Sequence, residues 1–233
     1  MLATRTSRAA STYLKAVYLL EENASPGHAG PPDKTHRVTT TAVAERLDVS
    51  AASATNMLKK LGARQLVDYE PYRGASLTPQ GRQIVLEIVR HHRLLETYLV
   101  QVLGVPWDEA HAEAELLEGD LSEALEERIS IALGHPRVDP HGHPIPTKDG
   151  AMPKTSRRSL WDVSNGKRAV VEQVPDSHPE ALRYLANVGV LPGVRVTVVD
   201  RGPIGGPLFI RINDNETPPA ALSREIAEAI WVR

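Results

Sequence analysis

His92 and Glu96 stand four residues apart in His91-His92-Arg93-Leu94-Leu95-Glu96, a run whose apolar spacing predicts a helix. Their side chains therefore share one face. A second predicted helix carries His111, Glu115 and Glu118 at i, i+4 and i+7, again a single face. Two antiparallel helices pressing these faces together would gather imidazole and carboxylate into one pocket. Nitrogen and oxygen donors without sulfur suit a divalent cation of borderline or hard preference. The same inventory also fits a metallohydrolase. The chain lacks a His-Glu-x-x-His pattern, a nucleophile elbow and a phosphate-cradling glycine loop, so the expectation is a non-enzyme.

The 233 residues are enough for two or three compact units, each with its own core. There is no cysteine, which removes disulfides, thiolate ligands and thiol nucleophiles from consideration. The first residues lack the apolar core of a signal peptide, and no run approaches membrane-spanning length. These features lead to the expectation of a cytoplasmic protein with no membrane association. Residues 1–80 carry 10 Lys/Arg against 7 Asp/Glu, residues 81–140 carry 5 against 12, and residues 141–233 carry 12 against 10. A mildly basic head suits a polyanion and an acidic middle suits cations, although charge balance alone reads first as solvated helix faces.

Helical spacing predicts helices over 9–22, 39–47 and 51–65, with a Pro/Gly-rich loop over 25–37 and a turn at 48–50. Two short strands, 66–69 and 75–77, follow. Helix, turn, helix and hairpin is the order of a winged helix. Helices are predicted over 79–103, 107–118 and 122–133, then an irregular connection over 134–158. Strands at 168–171, 195–199 and 208–212, with a helix over 179–188, predict a small β-barrel. The expected fold class is mainly α with α+β elements. The expected domains are 1–78 (DNA-binding), 79–147 (helical), a linker over 148–160, and 161–233 (barrel).

In a helix-turn-helix the start of the second helix reaches base edges. Here Ser50, Ala52, Ser53, Thr55 and Asn56 supply small and hydrogen-bonding groups, and Asn can pair with adenine. Lys59 and Lys60 suit phosphates, Tyr72 and Arg73 at the hairpin tip suit the backbone or minor groove, and Thr39 opens the first helix of the motif. The expected partner is double-stranded DNA, read as a palindromic operator by a homodimer.

Several segments resemble the diphtheria toxin repressor family of metal-dependent transcriptional regulators. They are Ala42–Leu47, Tyr69–Gly74, His92–Glu96, Val105–Ala114, and Gly134–Pro136 with Pro140–Pro146. The resemblance implies a winged helix, a helical dimerisation domain that holds metal, and an SH3-like (FeoA-like) barrel. It implies manganese or iron(II) as the ion, with zinc, cadmium or cobalt accepted in vitro, and repression of metal-uptake genes. By the same resemblance His92, Glu96 and His111 match one metal site, while Glu115 and Glu118 match another. That second site departs from the family pattern: Gly119 stands where a His is usual, Thr12 where Met or Asp is usual, and Lys15 where some members have Glu. Asp139 and His141 match ligands on the connection after the third helix of the helical domain, and His178 with Glu180 falls near the barrel's ligand positions. The main site is thus expected to have moved toward His92, Glu96 and His111. His91, His135 and His143 read as solvated imidazoles. A winged-helix DNA binder with a merely structural metal is the competing reading.

Overall fold

The computed structural model describes residues 7–24, 37–153, 158–176, 178–213 and 217–233. The chain divides into two compact units. One comprises residues 1–91, 118–121 and 146–152, the other residues 92–117, 122–145 and 153–233. The predicted 25–37 loop lies outside the described residues except for Arg37.

In the first unit, α1 (Arg8–Ala24) buries Leu14, Val17 and Tyr18 at helical spacing. Helix α2 (Thr40–Arg46) is capped by Thr39, whose side chain accepts the Ala42 N–H, and α3 (Ala51–Ala63) by Ser50, which accepts the Ser53 N–H. Helix α3 turns Ala54, Leu58 and Leu61 inward, where they meet α1 and Val43 in one core. Strands β1 (Val67–Glu70) and β2 (Gly74–Leu77) pair antiparallel, with Tyr72 at the tip at φ +65°. Buried Glu21 accepts the Leu77 N–H at 2.7 Å and pairs with Arg82, tying α1 to the hairpin and to the helix after it. Burial lifts the Glu21 pKa above the ordinary carboxylate value, against the pull of that N–H and of Arg82.

Helix α4 (Pro79–Gln101) runs without interruption from the hairpin into the second unit. There follow α5 (Ala110–Leu117), a 3-10 turn at Glu118–Asp120, and α6 (Glu123–Ala132), capped by Ser122. The predicted 107–118 helix is shorter at both ends, because Trp107–Glu109 form a turn after Pro106 and the last residues tighten to 3-10 winding.

The C-terminal part is an antiparallel six-stranded sheet. Its strands are β3 (Arg158–Ser159), β4 (Arg168–Gln173), β5 (Arg195–Arg201), β6 (Leu208–Ile212), β7 (Ala220–Leu222) and β8 (Trp231–Val232), in the order β3-β8-β4-β5-β6-β7. Inward residues such as Val171, Val196, Val198, Leu208 and Ile210 form its core with Leu182 and Leu185 of α7 (Pro179–Val188). Helix α7 begins with Pro at its first position and ends at left-handed Gly189. Helix α8 (Arg224–Ala229) precedes β8. The sheet starts earlier than the expected 161 boundary, since Arg158 and Ser159 already pair with Val232 and Trp231 and Leu160 is fully buried. Among the described residues no helix is long and apolar enough to cross a membrane.

Candidate metal centre

Helix α4 delivers His92 and Glu96 from one face, both buried. His111, the second residue of α5, meets them. His92 Nε2 lies 3.0 Å from Glu96 Oε1, His111 Nδ1 lies 2.9 Å from the same oxygen, and the two nitrogens are 3.0 Å apart. Such a near-equilateral triangle of two nitrogens and one oxygen has the edge of one octahedral face around a first-row divalent ion, whose bonds are about 2.1 Å. Two His and one carboxylate on one face is an established arrangement for iron(II).

The connection after α6 adds a second group. Asp139 Oδ1 accepts the backbone N–H groups of His141 (2.8 Å) and His143 (2.9 Å), so the turn folds back on its own carboxylate. The other oxygen, Oδ2, is buried and without a hydrogen bond, 3.3 Å from His143 Nδ1. His141 is fully buried, with Nε2 2.9 Å from the Trp107 carbonyl oxygen. A carbonyl only accepts, so Nε2 carries the proton and Nδ1 presents its lone pair. That Nδ1 is buried and has no partner, the state of a metal ligand oriented by a backbone acceptor.

Asp176, just past β4, completes the cluster. Its Oδ2 lies 3.7 Å from His143 Nδ1 and 3.9 Å from His111 Nδ1. It is held there because the His141 carbonyl accepts the Val174 N–H at 2.9 Å, docking the turn on the end of the strand. Burial opposes the charge on Glu96, but the imidazoles of His92 and His111 hold its pKa well below the ordinary carboxylate range. Burial likewise opposes a proton on His143, yet the Asp176 and Asp139 carboxylates raise its pKa. Asp176 is lowered in turn, again against burial, chiefly by the charge of His143.

Four buried polar atoms outside the hydrogen-bond network belong to this cluster: Glu96 Oε2, Asp139 Oδ2, His141 Nδ1 and His143 Nδ1, of which Asp139 Oδ2 and His143 Nδ1 face each other as an ion pair. A buried polar atom left without any partner costs about 1–3 kcal/mol. With the triangle of His92, Glu96 and His111 they form a nitrogen–oxygen donor cluster whose chemistry fits a divalent cation.

The sequence-derived set divides on this geometry. His92, Glu96, His111, Asp139 and His141 come together. Glu115 is exposed, because α5 turns Ala110 and Ala114 inward and leaves Glu115 toward solvent. Glu118 is not presented on a helical face with His111. It sits on the 3-10 turn, and Lys15 Nζ donates to both its oxygens at 2.9–3.0 Å. His178 is exposed at the N-terminus of α7, and Asp176 rather than His178 reaches the cluster. His143 and His91 are buried, not solvated, while His135 is exposed. The signal for His143 was the alternation Asp139-x-His141-x-His143, which puts all three on one side of a tight turn. Asp176 carried no local signal, since only the bond between Val174 and His141 brings it near.

Gly142 makes this turn possible. It sits at φ +89°, and a Cβ there would overlap the Glu172 carbonyl oxygen. Gly142→Ala is expected to cost about 1–2 kcal/mol for the left-handed conformation alone, and more for the overlap. Urea unfolding should show the loss of stability, and metal binding should weaken with it because three donors move together.

At the other end of the chain, Thr39, Ser50, Ala52, Ser53, Asn56, Lys59, Lys60, Tyr72 and Arg73 are exposed, and Thr55 is half-buried. Thr55 Oγ1 donates to the Ala51 carbonyl at 2.8 Å, while Thr39 and Ser50 serve as helix caps. Arg73 pairs with Glu70 at 3.1 Å.

A helix-turn-helix with a hairpin, joined by one continuous helix to a buried imidazole–carboxylate cluster, defines a metal-dependent DNA-binding transcriptional regulator. The chain matches the iron dependent repressor N-terminal DNA binding domain over residues 5–75. It matches the iron dependent repressor metal binding and dimerisation domain over 78–147 and the FeoA domain over 158–233. It is 32% identical over 234 residues to the iron-dependent repressor IdeR of Mycobacterium leprae, covering 94% of each chain. A manganese-dependent transcriptional repressor in complex with manganese superposes with a TM-score of 0.83 at 38% identity, over 96% of this chain and 99% of the other. ScaR with bound Cd2+ superposes with a TM-score of 0.77 at 28% identity, over 96% and 98%. The chain belongs to the iron-dependent repressor family.

Proposed function

We propose that this protein is a homodimeric repressor of metal-uptake genes, switched by manganese or iron(II) bound in the cluster around Glu96. The observation that carries the reading is the gathering of His92, Glu96 and His111 into a triangle with edges of 2.9–3.0 Å, beside the buried donors Asp139 and His141. The absence of any thiolate favours manganese or iron(II), while zinc, cadmium and cobalt would also enter in vitro. Modules at 1–78, 79–147 and 161–233, joined by a linker at 148–160, divide the work as winged helix, dimerisation domain and SH3-like barrel.

A bound divalent ion would supply positive charge to the buried carboxylates of Glu96 and Asp139 and to half-buried Asp176. His92 and Glu96 lie on the same helix that begins two residues after the hairpin ends, so whatever fixes those side chains also constrains α4. Metal shifts the chain toward its DNA-binding state only insofar as the cluster holds it more tightly in that state. Ser53, Thr55 and Asn56 of α3 would face base edges, with Lys59, Lys60 and Arg73 on phosphates. Leu116, Leu117, Leu125 and Ile131 are large apolar side chains left exposed on α5 and α6, the surface a second copy would cover. A two-fold dimer would read a palindrome. Working on DNA, it would reside in the cytoplasm as a binding protein and not an enzyme.

The test is fluorescence anisotropy with operator DNA in chelator, manganese and iron(II). At least a ten-fold gain in affinity with metal is the expected result. Equal affinity in chelator and metal would leave a constitutive DNA binder whose ion is structural.

A further inference from the structure

A line of arginines crosses the outer face of the C-terminal sheet. Ala169 and Val171 of β4, Val196 and Val198 of β5, Ile210 and Ile212 of β6, and Val232 of β8 all belong to the core. Alternation therefore sends Arg168, Arg195, Arg211 and Arg233 to the opposite side. The register then brings them together. Arg168 and Arg211 both stand opposite Thr197, from the strands on either side of it. Arg195 stands opposite Val170 and accepts the Asn213 N–H through its carbonyl. Arg233 exchanges both backbone hydrogen bonds with Val170 from the other edge. Taken in the order Arg233, Arg168, Arg195, Arg211, each is the diagonal neighbour of the next, about 7–8 Å away. Four adjacent strands contribute one guanidinium each, and the line spans about 14 Å of sheet.

Like charges this close repel one another, and the described carboxylates answer only part of the charge. Glu172, on the same face, lies 3.6 Å from Arg233. Asp200, at the β5 bulge, instead accepts the Arg201 N–H at 2.8 Å and the Asn165 amide at 3.5 Å. Among the described residues neither Arg195 nor Arg211 forms an ion pair. Arg195 is exposed, while half-buried Arg211 has its Nε shut off from water and without a hydrogen-bond partner. That donor stays unsatisfied until the side chain turns toward an acceptor outside the sheet.

We propose that this face is a second DNA-contacting surface, which holds the phosphate backbone of duplex DNA without reading its sequence. The proposal takes from the reading above only that the chain binds DNA, and it is independent of the metal cluster. All four cations of the line are arginines, whose planar forks match phosphate oxygens. A small anion would engage one or two of them. A line across four strands matches an extended polyanion, and one DNA strand carries a charge about every 3.4 Å of helix axis. Such contacts fix the position of a protein on the duplex and carry no base information.

The experiment uses the full-length chain with manganese and a fluorescent duplex of random sequence, read by anisotropy across a potassium chloride series. Arg195→Gln combined with Arg211→Gln keeps much of each stem and breaks no ion pair among the described residues. Each phosphate contact contributes about 0.9 to the slope of log affinity against log salt, so the double variant should lose about 1.8. Arg224→Ala removes an exposed cation of α8 that stacks on Trp161 instead, and should leave the slope unchanged. An unchanged slope in the double variant overturns the proposal. If that variant also unfolds at lower urea, the arginines serve ion pairs within the chain, for which Asp214 and Glu216, outside the described residues, are the candidates. An equal drop in Arg224→Ala overturns it as well, by reducing the effect to net charge. Lost binding to phosphatidylserine vesicles with DNA binding intact makes a lipid surface the occupant and overturns the assignment to DNA. A wild-type chain that binds no duplex DNA overturns the regulator reading together with this one.

Discussion

Glu96→Gln is expected to abolish the rise in melting temperature that manganese gives the wild-type chain. Glu96 is fully buried, and one of its oxygens lies within 3.0 Å of both His92 and His111. An amide of the same size keeps the packing but removes the negative charge and turns half of the head group from acceptor to donor. Loss of a mere outer partner of a ligand weakens metal binding about 10–100-fold, and loss of a central carboxylate ligand should exceed that. Free metal at a hundred times its dissociation constant stabilises a native protein by about 2.7 kcal/mol. For a chain of this size that corresponds to about 5–10 °C in melting temperature. Differential scanning calorimetry with manganese and with chelator reads the difference directly. A variant that keeps more than half of the wild-type rise would remove Glu96 from the site. In chelator the variant separates structure from ligation. Its fold should persist, because the carboxylate's neighbours are other polar donors and not the apolar core.

The contrast between His111 and Asp176 shows what a linear reading can reach. His92 and Glu96 were legible because helical spacing alone puts them on one face, and His111 because a second helix could present it to them. Helix α7 was legible to its ends, since Pro179 and Gly189 mark them chemically. Glu115 shows the limit of the same rule. Helical spacing sets which residues share a face but not which face packs inward, and on α5 the alanines take the inner one. Strands β3, β7 and β8 have two or three residues each, too few for alternation to register, and exist because longer neighbours supply their hydrogen bonds. Asp176 and the turn at 139–143 are joined by long-range backbone pairing, which leaves no periodic trace. Lys15 and Glu118, separated by 103 residues, meet for the same kind of reason.

That ion pair yields the second large effect, because Lys15→Met should destabilise the chain while Lys15→Glu should make part of its stability metal-dependent. Both side chains are largely buried, 12% exposed for Lys15 and 11% for Glu118, and the ammonium contacts both carboxylate oxygens. Removing one partner of a buried pair leaves the other charge desolvated and uncompensated, at a cost of about 3 kcal/mol. Lys15→Met keeps the length of the side chain and its apolar contacts, so the loss reads the unpaired Glu118 carboxylate. Lys15→Glu goes further by setting two carboxylates against each other, so in chelator it should unfold at lower urea than Lys15→Met. Manganese should then recover more stability in Lys15→Glu than in Lys15→Met, since only the former places a second oxygen ligand beside Glu118. In the wild-type chain the lysine already supplies the positive charge that a metal would otherwise bring to Glu118. Urea unfolding of the three proteins, each in chelator and in manganese, decides the matter. Wild-type stability in Lys15→Met would show the pair to be energetically idle. An equal manganese effect in both variants would show that Glu118 does not become a ligand when its lysine is replaced.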